Sequence, residues 1–123
     1  MGYDDVVPNR VLGALCRRAF NHLGGSILSP ELDIIKGATQ ASSDQGNVSY
    51  AMPSISLGFQ IESEEGPHNP RFADAARTWA AHDAALRAGK SLASTGLEIL
   101  TDEKTLADAK KEFKEMLEND ELV

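Results

Sequence analysis

A chain of 123 residues can bury one hydrophobic core and is too short for two comfortable domains. Its 41% hydrophobic and 25% charged residues match an ordinary folded protein and lie far from the depleted composition of a disordered chain. Nineteen acidic against twelve basic side chains give a net charge of −7. Lys and Arg cluster no further than pairs such as Arg17-Arg18 and Lys110-Lys111, which argues against a nucleic-acid partner, because binding phosphates needs a basic face.

In chain order, the N-terminus MGYDDVVPN lacks the basic and apolar regions of a signal peptide. Val6 stands where a myristoylation signal needs Ser or Thr. No apolar run approaches the roughly 20 residues that span a bilayer, so the expectation is a soluble, cytoplasmic protein with no membrane partner. Leu12, Leu15, Cys16, Ala19 and Leu23 have the spacing of one helical face, with Pro8 in a first turn and Gly24-Gly25 as the stop. Cys16, the single cysteine, lies on that face and reads as a buried thiol rather than a nucleophile. Most of residues 26–41 reads as loop, with a short strand or turn over Leu32 to Ile35.

The polar stretch SSDQGNVSY (42–50) follows. A Ser or Asp there caps a helix start, and Pro53 disfavours helical geometry at Met52, so that helix has one or two turns. Its exposed N–H groups could also meet an anion such as a substrate carboxylate. Ile55, Leu57, Phe59 and Ile61 then alternate with polar or small residues, the period of a strand. The loop ESEEGPHNP holds His68 between Gly66-Pro67 and Asn69-Pro70. A histidine at the carboxyl end of a strand sits where α/β sheets collect ligands. His22 reads as a cation at a helix C-terminus and His82 as a packed or solvated helical residue. A long helix is expected from Arg71 or Phe72 to about Leu100, weakened by Gly89 and Gly96. A last helix, capped by Thr101 or Asp102, has Leu106, Ala109, Phe113, Met116 and Leu117 on its apolar face.

Three helices beside one or two short strands make an unbalanced set, since so small a sheet is marginal alone. The expected fold is therefore α/β, as part of a larger domain.

The segments SSDQGNVSYAMPSI, GPHNPRFADAA and AAHDAALRAGKSLASTGLEIL, in that order, resemble the C-terminal part of the M20 metallopeptidase and amidohydrolase family. The branch they resemble contains aminobenzoyl-glutamate hydrolase-like and M20 domain-containing dipeptidase-like proteins. The resemblance covers nearly the whole chain, and GYDDVVPNRVLGALCRRAFNHLG is similar to the segment after that family's lid domain. It implies a zinc-exopeptidase-like catalytic domain, of which residues 1–123 are a C-terminal portion, mostly helices with one or two strands. It also implies that His68 is a ligand to zinc or another divalent metal. Ser43, Asp44, Gly46 and Asn47 would line the substrate pocket, with Gly46 permitting close approach and Asp44 holding the turn. The implied substrate is an N-acyl amino acid, dipeptide or similar small amide, and the implied assembly a homo-oligomer. The family's HxDxxP motif, bridging aspartate, Glu-Glu pair and lid residues have no counterpart in these 123 residues. The chain alone is thus expected to be inactive, and the alternative is a non-catalytic interaction module.

Overall fold

Asn9 decides where the first helix begins. Its backbone is extended and its Oδ1 accepts the Leu12 N–H at 3.1 Å, satisfying one of the donors every helix start leaves over. Helix α1 then runs Arg10–His22 and buries Leu15, Cys16 and Phe20, two of the predicted stripe plus Phe20. Pro8 lies before the cap rather than within the first turn. Gly24 supplies the left-handed residue at the end (φ 81°), and the Gly25 N–H returns to the Phe20 carbonyl. The computed structural model describes residues 2–28 and 43–120. The expected strand or turn at Leu32 to Ile35 lies outside the described residues.

Four further helices follow: α2, Gln45–Ala51; α3, Pro70–Ala76; α4, Trp79–Thr101; and α5, Glu103–Asp120. Helix α2 stops at Met52, which is extended ahead of Pro53. Asn69 caps α3 by accepting the Arg71 N–H, and proline occupies the first turn. The single long helix expected from residue 71 is broken once. Thr78 is extended, its Oγ1 accepts the Ala81 N–H and its hydroxyl donates to the Ala75 carbonyl. One side chain therefore ends α3 and starts α4. Asp102 divides α4 from α5 in the same way, accepting the Lys104 N–H and the Thr105 hydroxyl. The Thr105 hydroxyl first, then the Lys104 and Thr105 N–H groups, hold its carboxyl below the usual carboxylate range.

The expected α/β class does not hold: the described residues form five helices and no strand. Residues 54–61 run without regular structure. A strand exists only by pairing, and alternation supplies an apolar edge without supplying a neighbour. The Ser54 carbonyl accepts the Asn9 N–H, a single bond to the cap of α1 rather than a ladder.

The core lies where α1 meets α4 and α5. Helix α4 turns only small buried residues inward, Ala81, Ala88, Ser91 and Thr95, so the backbones approach closely around Leu15, Cys16 and Phe20. Burying each of the two large side chains is worth about 1.5–3 kcal/mol. The Ser91 and Thr95 hydroxyls donate back to the carbonyls of Arg87 and Ser91, which removes the cost of burying them. At the other end of α1, the buried Asn9 donates its Nδ2–H to the Ala109 carbonyl of α5. The Glu112 carboxylate accepts the Arg10 and Val11 N–H groups at 2.9 and 3.0 Å. Three consecutive donors at the start of α1 are thereby satisfied, and a carboxylate sits at the positive end of the helix dipole. The core is nevertheless thin. Among the described residues its buried hydrophobic side chains are Leu15, Cys16, Phe20, Ala81, Ala88 and Ala109.

Candidate functional site

The turn ahead of α2 is built by Ser43, whose Oγ accepts the Gln45 N–H at 3.0 Å. Asp44 makes no capping bond through its side chain; its carbonyl accepts the Val48 N–H. Ser43 and Asp44 are both exposed, Asn47 is half-buried and Gly46 is buried.

What buries Gly46 is the N-terminal segment. A Cβ at Gly46 would stand 1.8 Å from the Asp4 carbonyl oxygen and 2.6 Å from its carbon, so only glycine permits this backbone-to-backbone approach. The backbone that comes close to Gly46 here is that of Asp4, within the chain itself. Asn47 donates its Nδ2–H to the Asp4 carboxylate at 2.7 Å, and the Tyr50 hydroxyl donates to Asp5 at 3.0 Å. The Ser49 hydroxyl accepts the Val7 N–H and donates to the Gly46 carbonyl. Residues 46, 47, 49 and 50 therefore form a four-point seat for residues 4–7. Ser49, Tyr50, Asp4 and Asp5 are additions to the sequence-derived set. Their signal was weak: Gly46 and Ser49, like Asn47 and Tyr50, are three apart on one helix, which shares a face but names no partner.

Beside this seat opens a cleft of about 700 Å³ lined by Asp5, Val7, Ser49, Tyr50, Glu112 and Met116, among others. A second, of about 720 Å³, lies between Phe20, Phe59, Ile61, Pro67 and Phe72. His68 is exposed, next to that second cleft in sequence, and its backbone is left-handed with φ 71°. Such a conformation is uncommon outside glycine. No hydrogen bond joins His68 to the turn at 43–47 among the described residues. Nor do three His, Cys, Asp or Glu side chains among them converge where a metal ion could be held. One imidazole is not a metal site, so a metal at His68 would need its other ligands from outside these residues, and no chemical step is derived through it.

The remaining titratable candidates are accounted for locally. Burial pushes the Cys16 thiol up, with its side-chain interaction with Thr95 acting the other way, the opposite of what a nucleophilic thiolate needs. His82 packs edge-on against Trp79, with ring centroids 5.6 Å apart, and His22 is exposed at the end of α1. Among the described residues, no helix is long and apolar enough to cross a membrane.

In sequence, the chain is 31% identical over 121 residues to the Xaa-Arg dipeptidase of Mus musculus, covering 98% of this chain and 28% of that protein. It is 30% identical to the Xaa-Arg dipeptidase of Homo sapiens, covering 98% of this chain and 27% of that one. The chain thus spans little more than a quarter of the length of these curated relatives, and the likeness supports a peptidase-like relationship. No protein-family model matches the chain, and no solved structure matches it.

Proposed function

We propose that residues 1–123 are a C-terminal portion of an M20-type, metal-dependent dipeptidase, a hydrolase of a small amide or peptide. The observation that carries this reading is the 31% identity sustained over 98% of the chain to a dipeptidase. The name of those relatives suggests the narrower substrate class, a dipeptide with arginine in second place. In this reading Ser43, Asp44, Gly46 and Asn47 stand on the substrate side. His68 contributes one ligand to zinc or another divalent ion whose remaining ligands lie outside this segment.

The left-handed backbone at His68 supports its place in the reading, because a non-glycine residue held at positive φ stores strain of about 1–3 kcal/mol and such positions gather at functional sites. One ligand binds a metal weakly and builds no catalytic centre. The purified chain is therefore expected to hydrolyse no alanyl-arginine with or without zinc. Zinc titration by calorimetry should show weaker binding after His68→Ala. Equal binding by parent and variant would remove His68 from the ligand set, and zinc-dependent hydrolysis by the chain alone would contradict its incompleteness. A second reading, an interaction module built on the same segment, is favoured by one observation, the exposed apolar face of α4.

A further inference from the structure

Residues 2–9 have no regular structure, and what holds the first of them to the molecule is almost wholly polar. Residues 2–6 are exposed, Tyr3 and Val6 among them, so no apolar side chain ahead of Val7 anchors the segment. Three bonds do: Asn47 Nδ2–H to the Asp4 carboxylate, the Tyr50 hydroxyl to Asp5, and the Val7 N–H to the Ser49 hydroxyl. The first two are open to water, where such bonds are worth least. Against them stands the conformational entropy of residues 4–7, which seating removes. A segment tied down in this way lies at the low-stability end of a fold and opens more readily than a helix packed on the core.

Its release would uncover a defined surface. Gly46 is covered by the Asp4 backbone, whose carbonyl oxygen lies 1.8 Å from where a Cβ would stand. Asn47 donates its Nδ2–H to the Asp4 carboxylate at 2.7 Å and, more weakly, to the Gly2 carbonyl at 3.5 Å. The Ser49 hydroxyl accepts a backbone N–H at 3.1 Å. The segment therefore presents to α2 a carboxylate, a peptide carbonyl and a peptide N–H. An N-acyl amino acid or a dipeptide bears the same three groups. We propose that residues 4–7 are a displaceable autoinhibitory strap: seated, Asp4 holds the place on Gly46 and Asn47 of a ligand bearing a carboxylate next to an amide, and such a ligand binds by lifting the strap. The inference rests on the dipeptidase reading, which puts Gly46 and Asn47 on the substrate side and fixes the ligand class. Strap and seat both lie within this chain, so the contact needs no further part of a longer protein to form. The apparent affinity for the ligand is lowered by the fraction of molecules whose strap is closed, and a change that loosens the strap raises it.

Hydrogen exchange of the Val7 amide in the full chain tests it, with N-acetylglycine as the probe and N-acetylglycinamide, which lacks the carboxylate, as its comparison. A ligand that docks against a seated strap protects Val7, whereas one that displaces the strap exposes it. N-acetylglycine at saturation, followed by the Asn47 side-chain amide shifts in NMR, is expected to speed Val7 exchange about tenfold, and N-acetylglycinamide to change neither. Val7→Pro deletes the strap's backbone donor without changing charge. It should lower the Kd for N-acetylglycine about three- to tenfold, the worth of one such bond. The exchange measurement on the parent decides the matter by itself should this variant disturb the fold. Saturable binding at Asn47 with Val7 exchange unchanged or slowed, or a Kd indifferent to Val7→Pro in a folded variant, overturns the strap and leaves the dipeptidase reading in place. An Asn47 amide that N-acetylglycine shifts in neither parent nor variant overturns both.

Discussion

Replacing Gly46 by alanine sets two effects of opposite sign against each other, and the geometry says which wins. Alanine is the better helix former by at most about 1 kcal/mol. The added Cβ would stand 1.8 Å from the Asp4 carbonyl oxygen, 2.6 Å from the carbonyl carbon and 3.0 Å from the Asp5 oxygen. These are backbone atoms, so no rotamer change relieves the contact, and the segment must lift by about 1.5 Å to restore ordinary separations. Lifting it stretches three bonds at once: Asn47 to Asp4, Tyr50 to Asp5 and the Val7 N–H to Ser49. At about 0.5–1.5 kcal/mol each, with the exposed pair at the low end, they are together worth about 2–3 kcal/mol. The net expectation for Gly46→Ala is a loss of about 1–2 kcal/mol. With a urea m-value of about 1.5 kcal/mol/M, the midpoint followed at 222 nm should fall by about 1 M at fixed protein concentration. Hydrogen exchange should show the Val7 amide losing protection. Gly13→Ala within α1, with nothing within 4 Å of its Cβ position, is the control and should raise the midpoint. If Gly46→Ala raises it too, the N-terminal segment is not seated on α2 as described.

Asn9→Ala removes both the cap of α1 and the bond to the Ala109 carbonyl, and should cost about 2 kcal/mol in urea unfolding. Asn9→Asp keeps the capping oxygen and loses only the donor, so it should fall between; an Asp variant as unstable as Ala would refute the division. Because burial raises the Cys16 pKa above the ordinary thiol value of 9.0, the folded state holds this proton more tightly than the unfolded one. That contribution is fully present below the unfolded pKa and is lost as pH rises through the folded value. The stability difference between the parent and Cys16→Ala, measured by urea unfolding from pH 7 to 10.5, should therefore shrink at the alkaline end; a difference that grows contradicts the direction. His68→Gly relieves the left-handed backbone and should leave thermal stability unchanged or up to about 1 kcal/mol higher, whereas a loss above 1 kcal/mol would mean that the His68 side chain has structural work of its own.

Helix ends were legible where the residue type itself marks a start or a stop: Asp102 and the glycines after His22 each mark an end that the structure keeps. Thr78 is not legible as a boundary, because a threonine inside an alanine-rich run carries no turn signal of its own. It becomes one only when its hydroxyl serves Ala75 and Ala81 together. The strand over 54–61 failed for a different reason. Alternation of Ile55, Leu57, Phe59 and Ile61 describes a segment able to lie at an interface, whereas a strand is a relation between two segments. No segment pairs with it among the described residues, so neither the strand nor the α/β class holds.

The same distinction governs the site. A glycine in a polar turn announces that something must come close, and it does not announce what. At Gly46 the residue type alone allows a close approach, and in this structure the chain's own Asp4 lies there. The polar groups around it, Asn47, Ser49 and Tyr50, meet the carboxylates of Asp4 and Asp5 and the Val7 N–H. A substrate approaching this face of α2 would therefore have to bind beside residues 4–7 or displace them. The two cases separate on Asp4→Ala: it frees the Asn47 amide and should tighten binding of any anion that competes for it, but weaken binding of a ligand that uses the seated segment as a wall. Asn47 side-chain amide shifts in an NMR titration with N-acetylated amino acids would distinguish them.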